Sequence, residues 1–142
     1  MRHKKNTFKL NRTSSHRRCM MANLLKALIT NGMIKTTVAK AKHLKGYADK
    51  MVTLAKKNTL ASRRQVIAKL MIRYNTLTSK QVRSAKEGNT NPYNDDRKVV
   101  DKLINEIGPR FNERNGGYTC SIKLGNRVGD NTTMCLVKYL EN

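Results

Sequence analysis

Bond-breaking chemistry needs carboxylates, imidazoles, thiols or a glycine-rich loop in set arrangements, and this chain of 142 residues holds few of each. Metal-assisted phosphoryl chemistry requires clustered carboxylates, yet Asp and Glu total only nine. The one adjacent pair, Asp95-Asp96, stands where a helix should begin and reads more economically as a cap and dipole partner. His3, His16 and His43 are not spaced with a second His or Cys on one helical face, as a zinc motif would require, so phosphate or water is their expected company. Cys19, Cys120 and Cys135 form no CxxC pair and are an odd number, which argues against a disulfide framework and fits a reducing compartment. All three read as buried small hydrophobes rather than nucleophiles. Gly116-Gly117, Gly125 and Gly129 match neither GxGxxG nor a lysine-bearing phosphate loop. The residues therefore offer no catalytic constellation, no metal set, no cofactor pocket and no small-molecule substrate site.

Basic side chains are the informative ones. Thirty Lys and Arg against nine acids give a net charge of +21, which self-repels unless a polyanion neutralises it. Residues 1–50 hold thirteen cations and one acid, and residues 51–100 hold eleven and three, whereas 101–142 hold six and five. The electrostatic footprint thus lies in the first two-thirds. Seven cations fall in the first eighteen residues: Arg2, Lys4, Lys5, Lys9, Arg12, Arg17 and Arg18. Asn6, Asn11, Ser14 and Ser15 beside them can hydrogen-bond phosphate and ribose. A plain solvated tail is the bland alternative. Against it, the run continues into a helix whose first turn bears His16, Arg17 and Arg18, where cations oppose the dipole unless an anion docks. Lys35, Lys40, Lys42, Lys45, Arg63 and Arg64 form a second cluster that is either a further contact surface or a wet helical face. Arg110 and Arg114, with the Gly116-Gly117-Tyr118 turn, form a third, in which the Tyr118 ring is expected in the core.

These side chains need elements to position them. Residues 1–13 have neither period and read as an extended arm that orders only against its target. Ser14 or Ser15 can cap a helix with Met21, Leu24, Leu25 and Leu28 on one face, stopped by Asn31-Gly32. Residues 33–37 suit a short strand, after which Thr36 or Thr37 can cap a second helix burying Val38, Ala41, Leu44, Ala48, Met51 and Val52. Asn58-Thr59 starts a third, with Ile67, Leu70 and Met71 inward, ending near Tyr74. Residues 75–94 lose apolar periodicity and read as a solvated loop with at most one loose helical turn around residues 80–86. Asp95 or Asp96 then caps a fourth helix through Val99, Val100, Leu103, Ile104 and Ile107, closed by Gly108-Pro109. Alternation predicts a strand with Tyr118, Cys120, Ile122 and Leu124 inward, and residues 134–140 a second, more apolar one. The expected class is α+β: a compact two-layer domain over residues 14–142, with about four helices on a small mixed three-stranded sheet and a polar insertion loop at about 73–96.

Other classes fall away. The hydrophobic fraction is 38%, and no run approaches the ~18 apolar residues of a membrane span. A membrane-surface helix would need Trp or Phe on its apolar face, but there is no Trp and Phe occurs only at 8 and 111. The N-terminus lacks the apolar stretch of a secretory signal, and with only Phe8 and Leu10 it lacks the helical spacing of a transit peptide.

Short strings in order then become specific: Met-Arg-His at 1–3, Leu-Asn-Arg at 10–12, Ser-Ser-His-Arg at 14–17, Ile-Lys-Thr-Thr at 34–37, Lys-Ala-Lys at 40–42, Gly-Pro-Arg-Phe at 108–111, Gly-Gly-Tyr-Thr at 116–119 and Gly-Asp-Asn at 129–131. Together they resemble the bacterial large-subunit ribosomal proteins of the L-seventeen family over residues 1 to about 72 and about 97 to 140. The resemblance implies a non-catalytic constituent of the large ribosomal subunit, acting in translation in the cytoplasm, with an organellar ribosome the less favoured setting. It further implies binding to folded large-subunit ribosomal RNA near the peptide exit region, beside neighbouring large-subunit proteins. Arg2, His3, Arg12, Ser14, Ser15, His16, Arg17, Lys35, Thr36, Lys40, Lys42, Arg110 and Arg127 match positions that the family pattern implicates in RNA contact. Residues 73–96 depart from that pattern, because family members usually run from the third helix almost directly into the fourth. The competing readings are a DNA-compacting architectural protein, for which the arm offers only Phe8 and Leu10 as wedges, and a nuclease resting on Asp95 and Asp96.

Overall fold

The computed structural model describes residue 3 and residues 8–140. Helix α1 (Ser14–Asn31) begins after Thr13, which is extended but makes no side-chain capping bond, and stops at Gly32, whose φ of 75° only glycine adopts without strain. Strand β1 (Met33–Thr37) leads directly into α2 (Val38–Lys57), the central helix. Its buried Ala41, Ala48 and Ala55 recur every seven residues, a small-residue stripe between the larger Leu44, Met51 and Val52 that allows close neighbours. The helix ends at Asn58 in the left-handed conformation, and Thr59 starts α3 (Leu60–Leu70) with a reciprocal capping box to Ser62. Met71 ends α3 in a left-handed turn and is exposed rather than inward.

The segment expected as a loop contains a two-turn helix, α4 (Ser79–Lys86). Thr78 accepts from the Gln81 backbone and the Gln81 side chain accepts from Thr78, a capping box that supports a helix too short for a visible apolar period. The cap of α5 (Asp95–Lys102) is Asn94, whose side chain accepts from the Arg97 N–H at 3.0 Å, leaving Asp95 and Asp96 in the first turn. Gly108-Pro109 does not close this helix. The chain widens into a π-helical turn (Leu103–Ile107) and finishes with one α-helical turn (Gly108–Arg110). Gly108 sits so close to α2 that a Cβ there would lie 3.3 Å from the Ala55 backbone, a tight contact that α2 would have to yield to by a few tenths of an ångström.

Strands β2 (Thr119–Asn126) and β3 (Thr133–Tyr139) complete a sheet of order β1-β3-β2. Both pairings are antiparallel, where a mixed sheet was expected, since a hairpin joins β2 to β3 and the chain returns along β1. The parity of β2 is also the reverse of the alternation in the sequence. Thr119, Ser121 and Lys123 pair with Tyr139, Val137 and Cys135, the inward row of β3, while Cys120 and Ile122 look out beside Lys138 and Leu136. Asp49 of α2 supplies the reason: its Oδ1 accepts from the Tyr118 N–H at 3.2 Å and from the Thr119 hydroxyl at 3.0 Å, fixing which side of the strand meets the helix.

The architecture is therefore α+β, helices covering one face of the sheet. One core joins α1, α2, α3, α5 and the sheet around fully buried Phe111, Leu25, Leu28, Leu44 and Val137. Phe111 packs its ring 5.2 Å from Tyr118 and 6.3 Å from Tyr139; burial of such a ring contributes roughly 1.5–3 kcal/mol. Among the described residues, no helix is long and apolar enough to cross a membrane.

Candidate nucleic-acid interface

The basic residues at the start of α1 act first on their own backbone. Residues 9–12 form a tight turn closed by the Arg12 N–H to the Lys9 carbonyl, with Leu10 and Asn11 both in the left-handed region. The Arg17 guanidinium reaches back to the carbonyls of Lys9 and Arg12 at 3.4 and 3.3 Å, and Arg12 donates to His16 Nε2 at 2.8 Å. Phe8 folds over α2, its ring centroid 5.3 Å from that of His43, which in turn meets Tyr47 edge-on at 5.0 Å. The last residues of the expected arm are thus seated on the helices.

This turn borders a cleft of about 530 Å³ between α1, α2 and the end of α3. Ser14, Arg17, Arg18, His43, Tyr47 and Lys69 line it, with Met21 and Leu25 at its floor and no carboxylate among the lining side chains. Partial burial, aided by the Arg17 charge, lowers the His43 pKa from the ordinary imidazole value. A second hollow beside it brings Arg12 and His16 next to Lys40. Helix α1 has no acid in its first turn and no side-chain cap, so its leading N–H groups meet only cations and solvent among the described residues. The arrangement suits phosphate, which satisfies the N–H groups and reverses the sign of the dipole–charge interaction.

The first 86 residues contain a single acid, Asp49, and its carboxylate is engaged by Tyr118 and Thr119. Among the described residues Lys26 of α1 is paired with Asp96, and no carboxylate pairs with the cations that line the cleft.

The expected contact residues divide under this geometry. Arg12, Ser14, His16, Arg17, Arg18 and Lys40 converge on the cleft and its neighbouring hollow. Ser15, Lys42, Lys9 and His3 are exposed, and Arg2, Lys4 and Lys5 lie outside the described residues. Lys35 is exposed on β1, but Thr36 is buried opposite Cys135, its side chain turned into the core. Arg64 is exposed, whereas Arg63 is paired with Asp101 at 2.8 Å. Arg127 forks onto Asp130, drawing the Asp130 pKa well below the carboxylate range. Arg114 bonds the Gly116 carbonyl at 3.3 Å and its own carbonyl accepts from Lys56 at 2.6 Å, while Arg110 stands exposed at the end of the last helical turn. These two belong to the opposite end of α2 from the cleft.

Sequence reasoning missed Tyr47 and Lys69 as members of the site. Lys69 was visible as an outward cation of α3, but only the packing of α3 across α1 brings it to the cleft. The expectation of three buried cysteines also needs correction. Cys135 is buried and Cys120 half-buried, but Cys19 is exposed, 3.9 Å from the Met71 sulfur, because the buried stripe of α1 runs through Met21, Leu25 and Leu28 instead. Among the described residues no group of His, Cys, Asp or Glu could hold a metal ion.

Comparison with known proteins gives the context. Residues 20–140 match the family described as "Ribosomal protein L17". A "Large ribosomal subunit protein bL17" of Protochlamydia amoebophila is 63% identical over 140 residues, 99% of each chain. Proteins of that name are 57% identical in Chlamydia abortus over 142 residues, the whole of both chains, and in Chlamydia pneumoniae over 140 residues, 99% of each. These relatives match the chain over 99–100% of their length.

Proposed function

The chain belongs to the ribosomal protein L17 family of structural, non-enzymatic ribosomal components, and from that premise we propose that it is a constituent of the bacterial large subunit that holds folded ribosomal RNA by neutralising phosphate. The cleft supports this reading most directly. Arg17, Arg18, His43 and Lys69 surround it without one carboxylate, at the open N-terminus of a helix, in a protein of charge +21. Phosphates entering there meet preset donors. Arg2, His3, Lys4, Lys5, Lys9, Arg12, Ser14, Ser15, His16, Lys40 and Lys42 extend that contact. Lys35, Arg64, Arg110 and Arg114 offer secondary points, and Arg63 and Arg127 reach RNA only by leaving their carboxylates. Thr36, being buried, takes no part. The location proposed is the peptide exit side of the subunit, beside other large-subunit proteins, in the cytoplasm.

Charge neutralisation positions RNA without reading bases, so binding should be steeply salt-dependent. With six to ten phosphates contacted, affinity for folded large-subunit ribosomal RNA falls by about 10³ to 10⁵ between roughly 50 and 200 mM salt, taking the duplex value as a guide. Removal of residues 2–12 leaves the domain folded but sharply weakens RNA binding and incorporation into large-subunit particles. Unchanged incorporation after that truncation would reject the arm's role. Competition with duplex DNA separates this function from DNA compaction, which finds little support in a Phe8 already packed on His43.

A further inference from the structure

The segment between α3 and α5 is tied together by its own side chains. Arg97 holds it together: its Nη2 donates to the Asn75 carbonyl at 2.9 Å, its Nε to Asn75 Oδ1 at 3.1 Å, and its guanidinium lies 4.5 Å from the Tyr74 ring centroid and 5.3 Å from that of Tyr93. Asn75 Nδ2 donates to the Pro92 carbonyl at 2.9 Å and Asn94 Nδ2 to the Arg73 carbonyl at 2.6 Å, tying the two ends of the segment side by side. Helix α4 stands on this base. Leu77, Val82 and Ala85 turn toward Tyr93 and Arg97 around a hollow of about 640 Å³.

The other side of α4 carries Lys80 and Arg83, and Lys86 continues the row to the rim of that hollow. Spaced by three, they fall within an arc of about 120° and along roughly 9 Å of axis. All three are exposed, and among the described residues none forms an ion pair. Glu87 is the sole acid between Asp49 and Asp95, and it sits at the C-cap without a salt bridge. Three like charges on a two-turn helix repel one another, and the adjacent carboxylate, Glu87, forms no ion pair with them among the described residues. Leu77 and Ala85 are half-buried and Val82 is exposed, so beside that one apolar side chain the outward face offers charge and hydrogen-bond donors, the chemistry of a phosphate backbone.

We propose that α4 is a second, preformed phosphate-binding surface through which this chain grips folded RNA away from the cleft, with Lys80, Arg83 and Lys86 as its contacts. The inference rests on the reading that the chain binds large-subunit ribosomal RNA. The test uses the full chain, transcribed large-subunit ribosomal RNA, and the variant Lys80→Gln/Arg83→Gln/Lys86→Gln. A charge-matched control, Lys50→Gln/Lys57→Gln/Lys98→Gln, measures the effect of lowering net charge elsewhere. The α4 variant should lower the slope of log affinity against log salt by about two to three, at ~0.7–0.9 per phosphate, and should lose one patch of backbone protection in footprinting. The control should keep both. A variant with native slope and native footprint overturns the proposal while leaving the cleft reading intact; a native chain that fails to bind the RNA overturns both. Loss of a neighbouring protein from assembled particles, with slope and RNA protection unchanged, overturns it in favour of a protein contact.

Discussion

At the start of α1, Arg12, Arg17 and Arg18 form no ion pair among the described residues; at the start of α5, Arg97 is surrounded by a carbonyl, a side-chain amide oxygen and two aromatic rings. One residue type thus does different work in two regions. Around α1 the guanidinium groups have only the carbonyls of a turn and the His16 imidazole, so they stay available to an anion. Around α5 the guanidinium is a structural centre, and the phosphate-seeking role passes to Lys80, Arg83 and Lys86 on the helix it supports. Charge count alone does not separate these roles; the presence of acceptors does.

The largest expected break in that comparison comes from Arg18→Gln/Lys69→Gln. Both side chains are exposed on the cleft and bond to nothing else among the described residues, so thermal stability should hold within about 0.5 kcal/mol. RNA affinity should behave differently. Two lost phosphate contacts lower the salt slope by nearly two, a drop of roughly 30- to 60-fold at ~0.1 M salt relative to binding near 1 M. An unchanged slope would mean that the cleft does not face RNA.

Arg97→Met inverts the pattern. It keeps much of the side-chain volume but removes two charge-assisted hydrogen bonds and both ring contacts, with a local cost of about 1–2 kcal/mol. Amide exchange should quicken across residues 73–94 while the core strands keep their protection, since the hydrogen bonds of this cluster and the lining of its hollow involve no strand residue. The Arg18/Lys69 variant should show no such local opening. If Arg97→Met instead unfolds the whole domain at once, the inserted segment is part of the core's cooperative unit.

The two regions also differ in how far they could be read in advance. The faces of α1, α2 and α5 follow from apolar spacing at three and four, and Met21, Leu25, Leu28, Leu44, Met51, Val100 and Leu103 are all buried as that spacing requires. The basic start of α1 was equally plain, because nothing in its local sequence could neutralise it. What escaped depends on distant partners. The parity of β2 is set by Asp49, some seventy residues earlier, against a local alternation pointing the other way. Arg63 is engaged by Asp101 on another helix, so its role could not be judged from its own neighbourhood. Arg127 could have been, as Asp130 is three residues away in the same turn. Helix α4 had one legible signal, Thr78 and Gln81 at capping-box spacing, which its sparse apolar residues obscured.

The smallest effect sharpens the comparison at the joint between the two regions, where Asp96 binds both. Its Oδ1 accepts from Lys26 of α1 at 2.7 Å and its Oδ2 from the Arg73 N–H at 2.8 Å, so one carboxylate links the first helix to the base of the inserted segment. Partial burial works to raise its pKa, but the Arg73 and Lys26 hydrogen bonds and their charges outweigh it, and the net shift is downward. A carboxylate with a lowered folded-state pKa contributes stability above its unfolded value near 3.9, and that contribution is lost as pH falls through the folded value. Melting followed from about pH 6 down to about pH 3 should therefore show the native chain losing more stability than Asp96→Asn, by less than about 1 kcal/mol because solvent reaches the pair. Asp130 provides the contrast, since its pKa is also depressed, yet it is exposed and tied only to Arg127 within one turn. Asp130→Asn should change the acid limb of the melting curve less than Asp96→Asn, because solvent screens the exposed pair. Equal effects of the two substitutions would show that the acid limb reports net charge rather than the link from α1 to α5.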